Sequence, residues 1–288
     1  MSTLIARLAG PVQAWGAEPR LRTAGSHPTP TWSGLLGLAR AALGHGRTAA
    51  PQDIAWLRDL TMAVRVDQPG TLHTDFQTIN PLPAAYEKFA FFDRSDRGLI
   101  PVGTSLQATG KAPRWLAGEA PMITRRQLIH DASFLWLVHG PDHDVARLAE
   151  ALTNPRWVLA LGRKGCTPSS PVLLGVHPGA LVEAATTTPL TGRPPARWPS
   201  RSAAGETPEQ PAQPVELVWL HGTPDPALRI TATRVVLDNP IGSHPQDGHT
   251  AGQHSVSSLT APRHPDLLGW ALENLSHPAR TSQEATAS

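Results

Sequence analysis

Along residues 3–8, TLIARL, Leu4, Ala6 and Leu8 alternate with Ile5 and Arg7, the two-residue period of a strand. The period then lengthens. In WSGLLGLARAALG (32–44), Trp32, Leu35, Leu36, Ala39, Ala42 and Leu43 fall on one helical face. Thr31 or Ser33 is placed to cap this helix and Gly44 to end it. TMAVRVD (61–67) returns to alternation, with Met62, Val64 and Val66 set against Ala63 and Arg65. SFLWLVH (133–139) is a continuous apolar run and predicts a buried strand. DHDVARLAEALT (142–153) places Val145, Leu148, Ala149 and Leu152 on one helical face, with Asp142 and Asp144 at the end where the helix dipole favours acid. PVLLGV (171–176) predicts a fourth strand. The order β-α-β-β-α-β is the split βαβ arrangement of ferredoxin-like (RRM-like) domains, and the expected fold class is α+β.

Residues 68–133 separate the second and third strands, a connection too long for a compact domain unless it has work of its own. From 186 to 214 the chain turns to Thr, Pro, Ser and Ala, with seven prolines and one aromatic, Trp198. Apolar pattern returns at VELVWL (215–220) and LRITATRVVL (228–237), two expected strands, and WALENL (270–275) predicts a short helix. The expected organisation is a domain over 1–180 with an insertion at about 68–133, a Pro-rich linker over 181–214, a small β-rich extension over 215–275 and a disordered tail over 276–288.

No apolar run approaches a membrane span, and the first residues lack a basic region followed by an apolar stretch and a cleavage site. A cytoplasmic protein with no membrane partner is expected. Cys166 is the only cysteine, which excludes an internal disulfide and a cysteine-rich metal site. Charge is uneven: residues 1–165 carry 18 Lys and Arg against 13 Asp and Glu, whereas 166–288 carry 7 against 10. Only Lys88, Lys111 and Lys164 among the 25 basic residues are lysines. Arginine suits bidentate phosphate contacts and stacking on bases, although a coding bias toward Arg, Ala, Pro and Gly gives the same composition.

There is no HExxH, P-loop or GxSxG motif, and no cofactor or metal is expected. His244, His249, His254 and His264 cluster in a polar stretch without carboxylates at ligand spacing. His27, His73, His130, Tyr86 and Lys164 are the residues available for acid–base cleavage of RNA without metal. The aromatic run of an RNA-binding sheet is absent, and Phe134 and Trp136 stand in an apolar context that favours a core. RNA, if bound, is therefore expected on loops and on the insertion. In LAGPVQAWG (8–16), Gly10-Pro11 breaks the first strand, which places Gln13 and Trp15 on a loop outside the core, followed by Arg20 and Arg22. HPTPTWSG (27–34) leads into a helix N-terminus, whose free N–H groups attract phosphate. LGRKGCTPSSP (161–171) frames Arg163 and Lys164 with glycines, next to Cys166. The insertion adds HTDFQTIN (73–80) and a basic stretch, KAPRWLAGEAPMITRRQLIHDASF (111–134), with Arg125 and Arg126. Each loop read alone is equally a structural turn, and the basic arm equally a solvated hairpin.

IARLAGPVQAWG, PTWSGLLGLARAALG, DFQTIN, QLIHDASF and NPRWVLALGRKGCTPSSPVLLG occur in the order of, and together resemble, the CasD family, the crRNA 5′-end subunits of type I-E CRISPR Cascade. The resemblance covers most of residues 1–176. It implies a RAMP-type ferredoxin-like domain with a protruding thumb. It implies a subunit that holds the 5′ handle of crRNA and caps the backbone filament, contacting the backbone subunit CasC and the large subunit CasA. It implies contact with target DNA only through the complex, and a subunit that is not the nuclease. The RNA-binding residues it implies are Gln13, Trp15, Arg20, Arg22 and Ser33, then Arg163, Lys164 and Cys166 in the glycine turn, and Arg125 and Arg126 on the thumb. Trp32 precedes Ser33 where the family often has a basic residue, and Gln77 stands in DFQTIN where relatives have His. A related CasD-like protein of type I-C systems cleaves precursor RNA, so a metal-independent endoribonuclease is the alternative. A protein-only scaffold, with no salt-dependent RNA affinity, is the third.

Overall fold

The computed structural model describes residues 1–20, 23–46, 51–79, 91–92, 99–100, 122–191, 212–238, 250–264 and 266–278. The chain divides into two units, one made of Met1–Pro19, Gly25–His73 and Gln127–Ser288, the other of Arg20–Ala24 and Thr74–Arg126.

In the first unit, β1 (Ser2–Ala9), α1 (Trp32–Leu43), β2 (Thr61–Gln68), β3 (Ser133–Gly140), α2 (Asp142–Thr153) and β4 (Leu173–His177) follow the chain in the expected order. In space these strands lie β4-β1-β3-β2, each antiparallel to its neighbour. Each helix therefore joins two strands with a third between them.

The pleat explains the sequence pattern. Leu4, Ala6 and Leu8 of β1 face a core shared with Leu35 and Ala39 of α1 and Val145 and Leu148 of α2, whereas Ile5 enters a second core on the other face. β3 does not alternate because both of its faces are buried: Phe134, Trp136 and Val138 join the first core, Leu135 and Leu137 the second. Burying side chains of this size contributes about 1.5–3 kcal/mol each.

The carboxy-terminal strands continue the same sheet. β5 (Gln213–His221) pairs antiparallel with β2, and then come β7 (Thr250–Ala261) and β6 (Ile230–Asp238), giving the order β4-β1-β3-β2-β5-β7-β6. The second core is closed by α3 (Leu181–Thr187) and α4 (Leu267–Asn274). Composition places 181–187 in the linker; they form a helix because Leu181, Ala184 and Ala185 bury against the sheet. Arg65, with no exposed surface, fastens the end of that helix. Its guanidinium donates to Asp67 Oδ1 at 2.6 Å and Oδ2 at 3.0 Å, to the carbonyls of Ala185 and Thr188 at 2.5 Å, and to that of Pro189 at 3.3 Å. α4 begins earlier than the predicted 270, because Asp266 caps it by accepting from the Gly269 N–H at 2.9 Å. Ser276, assigned to the tail, bridges to Val176. The rest of the predicted linker, 192–211, and of the tail, 279–288, lies outside the described residues.

In the second unit, Thr23–Ala24 runs parallel with Arg125–Arg126, and Phe91–Phe92 pairs antiparallel with Leu99–Ile100. No helix among the described residues is long and apolar enough to cross a membrane.

Candidate nucleic-acid interface

Gly10-Pro11 ends β1 at Ala9, as the sequence predicts, but Gln13 and Trp15 are not on an exposed loop. Both are completely buried. Val12–Gln13 pairs antiparallel with Ile129–His130, so the backbone recovers strand geometry directly after the proline and turns both side chains inward. Gln13 Nε2 donates to the Leu8 and Ala132 carbonyls at 3.0 and 2.9 Å, and Gln13 Oε1 accepts from Trp15 Nε1 at 3.0 Å. The Trp15 backbone N–H donates to Ser26 Oγ at 2.9 Å, and the Ser26 N–H donates to Gln127 Oε1 at 3.1 Å.

Around this indole the three predicted loops meet. Ala14 N–H donates to the Leu161 carbonyl at 3.1 Å. A Cβ at Gly162, whose φ is +85°, would lie 1.9 Å from the Ala14 carbonyl oxygen, so only glycine permits this approach. A Cβ at Gly34, in the first turn of α1, would lie 2.9 Å from Trp15 Cε3. Trp15 is thus the packing centre of the opening loop, the helix start and the glycine turn.

The turn closes on itself through Leu161 N–H to the Cys166 carbonyl at 2.7 Å and Cys166 N–H to the Arg163 carbonyl at 2.8 Å. Lys164 is exposed and Arg163 half-buried, whereas Cys166 is only 2% exposed. Burial pushes the Cys166 thiol up, with Arg163 opposing, so the cysteine is a neutral core group and not a surface contact. Thr31, rather than Ser33, caps α1 by accepting from the Gly34 N–H at 3.2 Å; Ser33 is half-buried in the first turn. Trp32 stacks on His221, with ring centroids 4.7 Å apart and planes 17° from parallel, and His221 Nε2 lies 2.6 Å from the Arg58 carbonyl oxygen. The position that departs from the family pattern thus ties the helix start to β5.

In the second unit Arg125 is exposed and Arg126 half-buried. The Arg125 guanidinium carbon lies 5.9 Å from the centroid of the Phe76 ring, which is 55% exposed. Phe76, in the DFQTIN stretch, was not singled out by sequence; its strand alternation gives no sign of which face is open. Arg20 ends the strand Trp15–Arg20, and its side chain, like all of Arg22, lies outside the described residues.

Of the acid–base candidates, His73 and His130 are side by side, ring centroids 4.4 Å apart. His27 ends the strand Thr23–His27, and Tyr86 lies outside the described residues. Among the described residues no group of three or more His, Cys, Asp or Glu is arranged to hold a metal ion. His244 and His249 lie outside them, and His254 is buried.

A family model described as CRISPR-associated protein (Cas_Cas5) matches residues 3–226. The CRISPR system Cascade subunit CasD of Escherichia coli (strain K12) is 35% identical over 180 residues, 60% of this chain and 70% of that protein. A chain of a solved CRISPR RNA-guided surveillance complex has the same fold, with a TM-score of 0.62 at 23% identity over 94% of this chain and all of that one. A crystal structure of a Cas protein gives a TM-score of 0.53 at 26% identity, covering 92% of this chain and 100% of that one. With the motifs in order, a family match running from β1 into the carboxy-terminal strands and a CasD relative at this identity, the chain belongs to the CasD/Cas5 family of CRISPR-associated proteins.

Proposed function

We propose that this chain is the non-catalytic RNA-binding subunit of a type I-E CRISPR Cascade surveillance complex, holding the 5′ handle of crRNA and capping the backbone filament for antiviral defence. In this reading its first 180 residues are a ferredoxin-like RAMP domain, with residues 68–133 as the thumb. CasC and CasA are its protein partners, and target DNA reaches it through the complex.

The observation that carries the reading is the gathering of three loops around Trp15, with Arg163 and Lys164 on the glycine turn. Both faces of the central strands are covered, one by α1 and α2 and the other by α3 and α4, and their aromatics Phe134, Trp136 and Trp219 are buried, so they cannot stack bases. A single strand is left with loop backbone, basic side chains and the start of α1, the means by which phosphates are positioned. Arg163, Lys164 and Ser33 on the first unit, and Arg20, Arg22, Arg125 and Arg126 on the second, are the contact residues. Gln13, Trp15 and Cys166 act from inside, holding the loops in place. The purified chain is expected to bind a single-stranded RNA copy of the host's CRISPR repeat, with an affinity that falls steeply with salt. R163A/K164A is expected to reduce the log–log salt slope by about 1, the loss of one to two phosphate contacts. Salt-independent or absent binding overturns the reading.

The His73–His130 pair favours, as the second reading, a metal-independent endoribonuclease. It requires cleavage of repeat RNA that survives chelator and disappears in H73A or H130A.

A further inference from the structure

The segment that leads into the glycine turn carries a surface that the packing of the loops around Trp15 does not account for. Thr153–Val158 is six consecutive exposed residues. Within it Trp157 is 50% exposed and Val158 84% exposed. A lone exposed apolar residue is ordinary. This one sits on a backbone that is fastened: Arg156 N–H donates to the Ala42 carbonyl at 3.0 Å and Trp157 N–H to the Ala41 carbonyl at 3.2 Å. Arg156 lies across Gly44, where a Cβ would come within 3.0 Å of its Cβ and Cγ. Beyond Val158, Leu159 and Leu161 are buried.

The chain from Trp157 to Gly162 therefore runs beside α1, from its carboxy-terminal end back to the Trp15 cluster at its start. Five residues span at most about 17 Å, a reach of a few nucleotides from the glycine turn. Charge identifies the occupant. Residues 151–182 contain Arg156, Arg163 and Lys164 and no Asp or Glu. An aromatic face on a fixed backbone with cations before and after it is the arrangement that receives a single strand, base on ring and phosphate on cation. A protein partner held mainly by apolar contact does not require a stretch free of acid.

We infer that Trp157 is a base-stacking platform for single-stranded RNA, continuous with the glycine turn. The inference rests on the proposed RNA-binding function and adds to it a stacking residue.

The test uses the full chain and a fluorescein-labelled single-stranded RNA copy of the host's CRISPR repeat. W157A is expected to weaken binding about tenfold with its salt slope unchanged, because the lost contact is not ionic, and W157F to stay within about threefold of wild type. The same RNA carrying 4-thiouridine is expected to cross-link to the peptide holding Trp157 in the unaltered protein, which needs no variant to fold. If W157A binds as wild type, R163A/K164A is weaker and no cross-link forms at Trp157, the inference falls and the proposed function stands. If W157A instead lowers recovery of other Cascade subunits while bound RNA is unchanged, the patch is a protein interface and the inference falls. If the wild-type chain binds no repeat RNA, both fall.

Discussion

The indole N–H of Trp15 donates to Oε1 of Gln13 at 3.0 Å, and the amide nitrogen of Gln13 holds the Leu8 and Ala132 carbonyls at 3.0 and 2.9 Å. One side chain thus joins the end of β1, the entry to β3 and the ring on which three loops pack. Q13A leaves a buried indole N–H and two carbonyls without this partner. Each orphaned group costs about 1–3 kcal/mol, so a loss of at least about 2 kcal/mol in urea unfolding is expected. An unchanged urea midpoint contradicts the role given to the amide.

Gly162 meets the Ala14 carbonyl where no side chain fits, at φ +85°. G162A is expected to cost more than the 1–2 kcal/mol of left-handed backbone alone, since the turn must also withdraw from Ala14. Its RNA affinity should fall although no charge is removed; urea unfolding of the variant reads the first effect and titration against repeat RNA the second. G165A, at a glycine with nothing within 4 Å of its Cβ position, is the matched control for steric crowding.

Arg65 and Asp67 form a pair with 0% and 4% side-chain exposure. R65A leaves the carboxylate buried without its partner and frees the carbonyls at the end of α3. A loss of about 3–5 kcal/mol is expected, with limited proteolysis opening first near residues 185–191. R65M/D67L, which removes both charges, should recover much of that loss.

His139 Nδ1 lies 3.0 Å from Thr3 Oγ1, which itself donates to the Gly179 carbonyl at 2.8 Å. The hydroxyl proton being committed, the imidazole donates from Nδ1. Burial pushes the pKa of His139 below its ordinary value, with a backbone hydrogen bond at Ser2 opposing. The unfolded chain then takes up the proton first. This contribution to stability is complete above the unfolded value of about 6.5 and is lost as pH falls through the folded value. Unfolding free energy measured from pH 7.5 to 5 is expected to decline, and to decline less in H139Q. An equal decline in both proteins assigns the effect to another group.

Local pattern carried the core well and the site poorly, for different physical reasons. α1 and α2 are legible because one face of each is buried, and β1 and β2 because Leu4, Ala6, Leu8, Met62 and Val64 fall at alternate positions on the first core, although Ile5 and Ala63 enter the second. β3 is legible because both of its faces are buried. Gly10-Pro11 reports a break in the backbone but not where the next side chains point; pairing with Ile129–His130, more than a hundred residues away, turns Gln13 and Trp15 inward. α3 hides in Thr- and Pro-rich composition because its burial depends on Arg65 and on a sheet face closed by distant segments. The glycines that frame Arg163 and Lys164 are legible as turn signals, whereas Cys166, expected as an RNA contact, is a core group, and the basic residues of the turn owe their arrangement to Trp15, a contact that spacing does not encode. Trp157 stands in plain view in NPRWVLAL, yet apolar sequence reads as core until exposure is known.

The most direct test of the handle-holding role is the 5′ end of the RNA that travels with the protein. The chain is tagged in its native operon, recovered from cells, and the bound RNA is sequenced from its 5′ end. One discrete RNA that begins with a repeat fragment, arrives with other Cas proteins and disappears when the dedicated processing nuclease is deleted is the expected result. A discrete RNA that survives that deletion makes this chain the nuclease, and recovery without RNA contradicts the RNA-binding function itself.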